Sequence, residues 1–187
     1  MCAVIGDRRL FLVGARAAGK TTVGRLLAAR LGLPFVDTDA VLVEREARSV
    51  SDIVQQEGWT AFRQKEGDVL RQVIQSLSVG GVIATGGGIV LARENRELLR
   101  SCGTVVYLRV SAEELASRLA SNALAEQRPS LTGRPLLEEV DDVLRERDPL
   151  YVGCAHYVVD ATKDIETVCT QIVQTLRLTE LLPQTRF

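Results

Sequence analysis

The chain of 187 residues carries almost no net charge: 23 Lys and Arg stand against 24 Asp and Glu, a formal charge of −1. Without a global cationic field, generic DNA or RNA binding is not expected, and any anion must be recognised by a local pocket. Long apolar runs are missing too. No stretch of about 18 apolar residues occurs, so no membrane span is expected. Asp7, Arg8 and Arg9 interrupt the apolar residues near the N-terminus, so a signal peptide is not expected either. Histidine is reduced to His156, which reads as structural, and the four cysteines (Cys2, Cys102, Cys154, Cys169) form no C-x-x-C pair. These residues do not suit a standard structural zinc site; the thiols read as reduced, mostly buried groups of a cytoplasmic protein. No internal repeat or low-complexity segment is present. The composition, 46% hydrophobic and 25% charged, is too apolar for disorder. A chain of this length should bury roughly 70% of its unfolded surface.

Short apolar runs alternate with longer helical patterns. Leu10–Val13 reads as a strand stopping at Gly14. Lys20–Leu31 reads as a helix, with Val23, Leu26, Leu27 and Leu31 at helical spacing before Gly32 and Pro34. Phe35-Val36 is a second strand closing in Asp37-Thr38-Asp39. Helices follow, one opening at a Ser51-Asp52 cap and another over Thr60–Leu77. Val82–Ala84 and Thr104–Val110 are the third and fourth strands, and Ser111 caps the next helix. Asn122–Pro135 is a polar loop, Leu136–Tyr151 a helix, Tyr157–Val159 a fifth strand and Ile165–Leu178 the closing helix. The strands are continuously apolar, as when helices cover both faces of a parallel sheet. The expectation is one three-layer α/β domain over residues 1–178, a C-terminal tail over 179–187, and a monomer.

Gly14-Ala15-Arg16-Ala17-Ala18-Gly19-Lys20-Thr21 matches G-x-x-x-x-G-K-[ST] and lies between a predicted strand and a predicted helix. Its glycines let successive N–H groups face phosphate oxygens, and the helix N-terminus adds partial positive charge. Lys20 suits the β- and γ-phosphates, and the Thr21 hydroxyl suits Mg²⁺. The third strand runs into glycine, so the acidic group must come from Asp37 or Asp39, either of which could instead be a helix cap. Phosphate loop, Asp pair and Gly86-Gly87-Gly88 all follow strand ends and should line one crevice. Three glycines bare their N–H groups to a close substrate, or merely make a turn. Read singly, Arg63 and Arg128 are solvated arginines, and Arg147 pairs with a neighbouring carboxylate.

Taken together these residues resemble shikimate kinase, a small family of the nucleoside-monophosphate-kinase-like phosphate-loop group. The matching elements are Gly14–Thr21, Phe35–Asp39, Phe62-Arg63-x-x-Glu66 and Thr85–Gly88. Arg128-Pro129-x-Leu131 with Thr132-Gly133, and Glu146-Arg147-x-Pro149-Leu150-Tyr151, follow in family order. The resemblance implies a five-stranded parallel sheet in the order 2-3-1-4-5, a substrate-binding helical region over about 39–70, and a lid over about 121–135. It implies transfer of the ATP γ-phosphate to the 3-hydroxyl of shikimate, with ATP and Mg²⁺, in aromatic amino acid biosynthesis.

Carried over, Asp39 holds the shikimate hydroxyls and acts on the attacking one. Arg63 and Arg147 clamp the carboxylate, and Gly86, Gly87 and Gly88 contact the ring. The nucleotide falls to Gly14, Ala15, Arg16, Ala17, Ala18, Gly19, Lys20, Thr21 and Thr22. Arg118 lies along adenine, and Arg128 is the lid arginine. Thr21 and Asp37 serve the metal, and the catalytic set is Lys20, Asp39 and Arg128. Ala17 stands where the family often has Gly, and 121–127 align poorly. No role is assigned to Glu57, Trp59 or Glu66. A gluconate kinase shares the phosphate loop and fold but not the glycine triplet with Arg63 and Arg147. A non-catalytic nucleotide-binding module would more readily lack Lys20, Thr21 or the acidic pair.

Overall fold

Five parallel strands form the sheet of the computed structural model, in the order β2-β3-β1-β4-β5. The structure describes residues 9–78, 80–121 and 136–181. The strands are β1 (Arg9–Val13), β2 (Phe35–Asp37), β3 (Gly81–Ala84), β4 (Thr104–Arg109) and β5 (Tyr157–Asp160). The α-helices are α1 (Lys20–Leu31), α2 (Thr38–Glu46), α3 (Val50–Ser76), α4 (Arg93–Cys102), α5 (Ala112–Ser121), α6 (Leu136–Cys154) and α7 (Ile165–Leu181). The sheet order implied by the resemblance is the one observed.

Alternate strand residues feed two cores. Phe11, Val13, Ile83, Val105 and Tyr107 pack with Phe62 and Leu70 of α3 and Tyr151 of α6. Leu10, Leu12, Val82, Val106 and Leu108 pack with Leu27 of α1, Leu115 of α5 and Ile172 of α7. Side chains of a strand alternate between faces, so a sheet covered on both sides needs apolar residues at every position. Phe11, Leu12 and Val13 are wholly buried; each such side chain contributes roughly 1.5–3 kcal/mol. His156 serves the sheet, its Nδ1 accepting the Val105 N–H at 2.9 Å.

Three local expectations are corrected. The first long helix is capped by Ser49, not Ser51: the Asp52 N–H donates to Ser49 Oγ at 3.1 Å and the Ser49 N–H to Asp52 at 3.2 Å. This reciprocal pair satisfies two end donors, which a cap at Ser51 could not do with Asp52 beside it. The two helices expected on either side of residue 60 are present: α3 is broken at Gly58, whose backbone (φ 80°, ψ 168°) is not helical, and resumes beyond it. The chain becomes helical at Thr38, so Asp37 and Asp39 do not share an extended strand. Helix α4 was not anticipated, because Arg93–Arg100 is mostly polar and only Asn95 and Leu99 are buried. Strand and helix ends otherwise differ by one to three residues.

Helices α2 and α3 are joined by charge. Lys65 lies 2.7 Å from Glu46 and 3.4 Å from Glu57, while Arg48 spans the same carboxylates at 3.2 and 2.5 Å. Lys65 foremost, with Arg45 and Arg48, holds the Glu46 carboxyl down at about 2 against the opposing effect of burial. A carboxyl with a lowered folded pKa stabilises the fold above its unfolded value of about 4.5 and loses that contribution as pH falls towards 2. Glu46→Gln should therefore lower the urea midpoint at pH 7 and converge with the parent near pH 2. Curves that stay parallel across that range would contradict the ion-pair link.

Candidate active site

Parallel pairing brings three strand ends together. Leu12 registers with Ala84, and Ala84 with Asp37, so the segments after β1, β2 and β3 leave the sheet side by side. After β1 the chain curls through Gly14–Gly19 into α1. Gly19 (φ 89°) and Ala17 (φ 65°) both adopt left-handed backbone, which costs an L-residue such as alanine roughly 1–2 kcal/mol. Lys20 Nζ donates to the Gly14 and Ala15 carbonyls at 2.9 and 2.7 Å, holding its ammonium inside the loop.

Asp37 ends β2 and caps α2. Its Oδ1 accepts the N–H groups of Asp39 and Ala40 at 3.0 and 3.4 Å, and its Oδ2 accepts the Thr21 hydroxyl at 2.6 Å. Cap and phosphate-loop contact are thus one side chain's two oxygens. Asp39, in the first turn of α2, faces the segment after β3 instead.

In that segment, Gly86–Gly88, the two outer glycines leave no space for a β-carbon. At Gly86 it would lie 2.5 Å from Glu66 Oε1 and 2.7 Å from Asp39 Oδ1. At Gly87 it would be slightly tight against the Arg16 N at 3.3 Å and in ordinary contact with the Gly14 O at 3.5 Å, both of the phosphate loop, and at Gly88 it would overlap the Arg63 guanidinium. The triplet is therefore a contact surface for two carboxylates, a loop backbone and an arginine, and not a turn alone.

Arg63 sits inside α3, past the Gly58 bend. It pairs with buried Glu66 and lies over the Trp59 and Phe62 rings at 5.2 and 5.1 Å. It is not a solvated arginine. Arg147, on α6, does not take its neighbouring carboxylate: Asp148 accepts from Tyr107 at 2.9 Å and Arg109 at 2.7 Å, whereas Arg147 Nε is buried without a hydrogen-bond partner among the described residues. A cavity lined in part by Arg16, Trp59, Arg63, Gly87, Gly88 and Arg147 joins these groups.

A second hollow lies on the other side of the phosphate loop, against Ala17–Gly19 and Thr22. There Arg118 donates to Glu114 at 2.8 Å and to the Ala17 and Ala161 carbonyls at 3.4 and 3.0 Å. Arg128 and the lid segment 122–135 lie outside the described residues. Sequence reasoning gave no role to Glu66 or Tyr151. Their only signals were their places in Phe62-Arg63-x-x-Glu66 and Arg147-x-Pro149-Leu150-Tyr151.

Fold and site together define a phosphate-loop nucleotide-binding protein with a second, arginine-rich cavity beside the loop. The shikimate kinase family model matches residues 16–177. Shikimate kinase 2 of Dickeya chrysanthemi is 51% identical over 90% of this chain and 96% of its own length. The corresponding enzyme of Syntrophotalea carbinolica is 50% identical with the same coverages. A shikimate kinase from Acinetobacter baumannii, solved in complex with shikimate, superposes with a TM-score of 0.86 at 33% identity, covering 95% of this chain and 97% of that one. The chain belongs to the shikimate kinase family, and is a phosphotransferase that uses ATP. A gluconokinase from Sinorhizobium meliloti 1021, at 19% identity and a TM-score of 0.56 over 92% of this chain and 97% of that one, shares the fold alone.

The crowding at Gly88 yields a test. Gly88→Ala should displace the Arg63 guanidinium and raise the KM for shikimate about tenfold or more, with the KM for ATP within about twofold of the parent, since roughly 1.4 kcal/mol is a factor of ten. Steady-state kinetics varying each substrate separate these outcomes. Unchanged shikimate kinetics would show that the close approach has no functional weight.

Proposed function

We propose that this chain transfers the γ-phosphoryl group of ATP to the 3-hydroxyl of shikimate, with the residues named above in separate roles. The observation that carries this reading is the orphaned Nε of Arg147, buried in a cavity shared with Arg63 beside the phosphate loop. A buried guanidinium donor without a partner costs free energy unless a ligand meets it. Two arginines suit a planar carboxylate, which accepts charge-assisted hydrogen bonds. Asp39 suits a polyol, because an ionised carboxylate accepts hydroxyl protons. A carboxylated polyol fits both. The A. baumannii relative, solved in complex with shikimate, supports the same acceptor.

Phosphoryl transfer asks a protein chiefly for positioning and for stabilisation of spreading charge. Phosphate-loop N–H groups and Lys20 cradle the phosphates, and Arg118 borders the hollow on the nucleoside side of the loop. In the reaction the acceptor oxygen bonds to the γ-phosphorus as the bond to the β–γ bridging oxygen breaks. ADP departs, and the hydroxyl proton passes to Asp39. Arg128 belongs to this scheme through the family resemblance, as the lid arginine.

The residues present fit Mg²⁺. A hydroxyl and a carboxylate, Thr21 and Asp37, meet at the loop. No group of three or more His, Cys, Asp or Glu able to hold a metal occurs among the described residues. Mg²⁺ keeps several waters and binds through one or two protein oxygens plus phosphates, so this sparse set suits it. Held by Thr21 and Asp37, the ion would supply positive charge to offset that of the phosphates. No helix among the described residues is long and apolar enough to cross a membrane, which suits a cytoplasmic enzyme.

ADP release with Mg-ATP should depend on shikimate and not on gluconate or quinate. Arg63→Ala should raise the KM for shikimate by about 10- to 150-fold, the equivalent of one lost charge-assisted contact of roughly 1.5–3 kcal/mol. Asp39→Asn should lower kcat by about 10²–10⁴ with the fold intact. Equal turnover with every acceptor would discard shikimate, and near-normal kcat in Asp39→Asn would remove that residue from proton transfer.

A further inference from the structure

Tyr151 is wholly buried in the core with Phe11, Phe62 and Tyr107 and is not used by the scheme above. Its ring stacks on Tyr107 with centroids 4.9 Å apart and planes at 24°. Its hydroxyl donates to the Gly87 carbonyl at 2.5 Å. Arg147 precedes it by four residues on α6, one helical turn, so the two side chains share a face. Through Tyr107 and Asp148 the stack connects outward to Arg109, so α6 is fastened to β4 at this level.

The polar groups of the glycine turn show what this bond does. The Gly86 N–H donates to Thr38 Oγ1 at 3.2 Å, the Gly86 carbonyl accepts from Ile89 at 3.2 Å, and the Gly88 carbonyl accepts from Leu91 at 3.0 Å. With the Gly87 carbonyl held by Tyr151, every carbonyl of the turn is satisfied within the protein. No described residue accepts the N–H of Gly87 or of Gly88. Peptide planarity ties each N–H to the carbonyl across the same bond, so fixing the Gly87 carbonyl fixes the direction of the Gly88 N–H. Both glycines line the cavity that holds Arg147.

We propose that Tyr151 is a positioning residue for the acceptor substrate: its hydroxyl locks the Gly87 carbonyl, aims the Gly88 N–H into the cavity, and holds that turn in register with Arg147. The inference rests on the reading that this cavity takes shikimate. Burial, in the first place, pushes the Tyr151 phenol up to about 12, with the nearby Arg147 and Arg63 charges countering part of the shift. The hydroxyl therefore remains a donor throughout the working pH range.

Tyr151→Phe removes the hydroxyl and keeps the stacked ring. Trp59 is the only tryptophan and lies on the cavity wall, so its fluorescence reports shikimate binding without nucleotide. The expected result is a shikimate Kd and KM raised about tenfold, the weight of one misdirected hydrogen bond, with the KM for ATP unchanged. A purely structural role would lower melting temperature and Vmax while leaving the shikimate Kd at the parent value, and that outcome overturns the proposal. Arg147→Ala, measured in parallel, separates the two levels. An unchanged Kd in both variants removes the acceptor reading together with the proposal; an unchanged Kd in Tyr151→Phe alone removes only the role of Tyr151. Should Tyr151→Phe not fold, amide resonances of the parent protein decide: those of Gly87 and Gly88 should move on adding shikimate, and their staying fixed overturns the proposal.

Discussion

The turn after β3 presses its backbone against the phosphate loop, and the rest of the site is arranged around that contact. A β-carbon at Gly87 would lie 3.3 Å from Arg16 N and 3.5 Å from Gly14 O, so the two segments lie backbone against backbone. In the proposed scheme this closeness brings the phosphoryl donor and the acceptor ring together. The neighbouring glycines extend the same constraint sideways. Gly86 makes way for Asp39 and Glu66, and Gly88 makes way for Arg63. Positioning is the main thing phosphoryl transfer needs from a protein, and here it is achieved by omitting side chains as much as by supplying them.

Around that contact the charges are sorted by helix. Helix α1 begins with Lys20 and Thr21, α2 with Asp39, the second half of α3 brings Arg63 and Glu66, and α6 brings Arg147. Helices α2 and α3 do not rely on apolar packing alone: Glu46, Arg48, Glu57 and Lys65 tie them where α3 bends at Gly58. Helix α6 is secured through Asp148, Tyr107 and Arg109. Each element that carries a charged group into the cavity therefore has its own polar anchor to a neighbour.

Much of this was legible in the sequence where local physics decides. The phosphate loop follows from glycine spacing between an apolar run and a helical period, and Lys20–Leu31 closes at Gly32 because that residue is in left-handed backbone. Two-faced burial was written in the continuous apolar strands. The strand order was not; it came from resemblance. Elsewhere the sequence misleads, at helix starts as well as where distant segments meet. Ser51 beside Asp52 looks like a cap, but Ser49 makes the reciprocal bond. Asp37 and Asp39 suggest one face of a strand, whereas the helix starting at Thr38 sends one to the loop and the other to the glycine turn. The polar run Arg93–Arg100 hides a helix whose few buried contacts are set by packing. Arg147 stands beside Asp148 in sequence, yet its Nε has no partner among the described residues, and the Tyr151 hydroxyl reaches Gly87, more than sixty residues away.

A crystal structure with shikimate and ADP tests the central claim most directly. The account predicts the shikimate carboxylate between the Arg63 and Arg147 guanidinium groups, with its ring against Gly86–Gly88 and a hydroxyl at Asp39. A carboxylate bound away from both arginines, or a ring seated clear of the glycine turn, would contradict it.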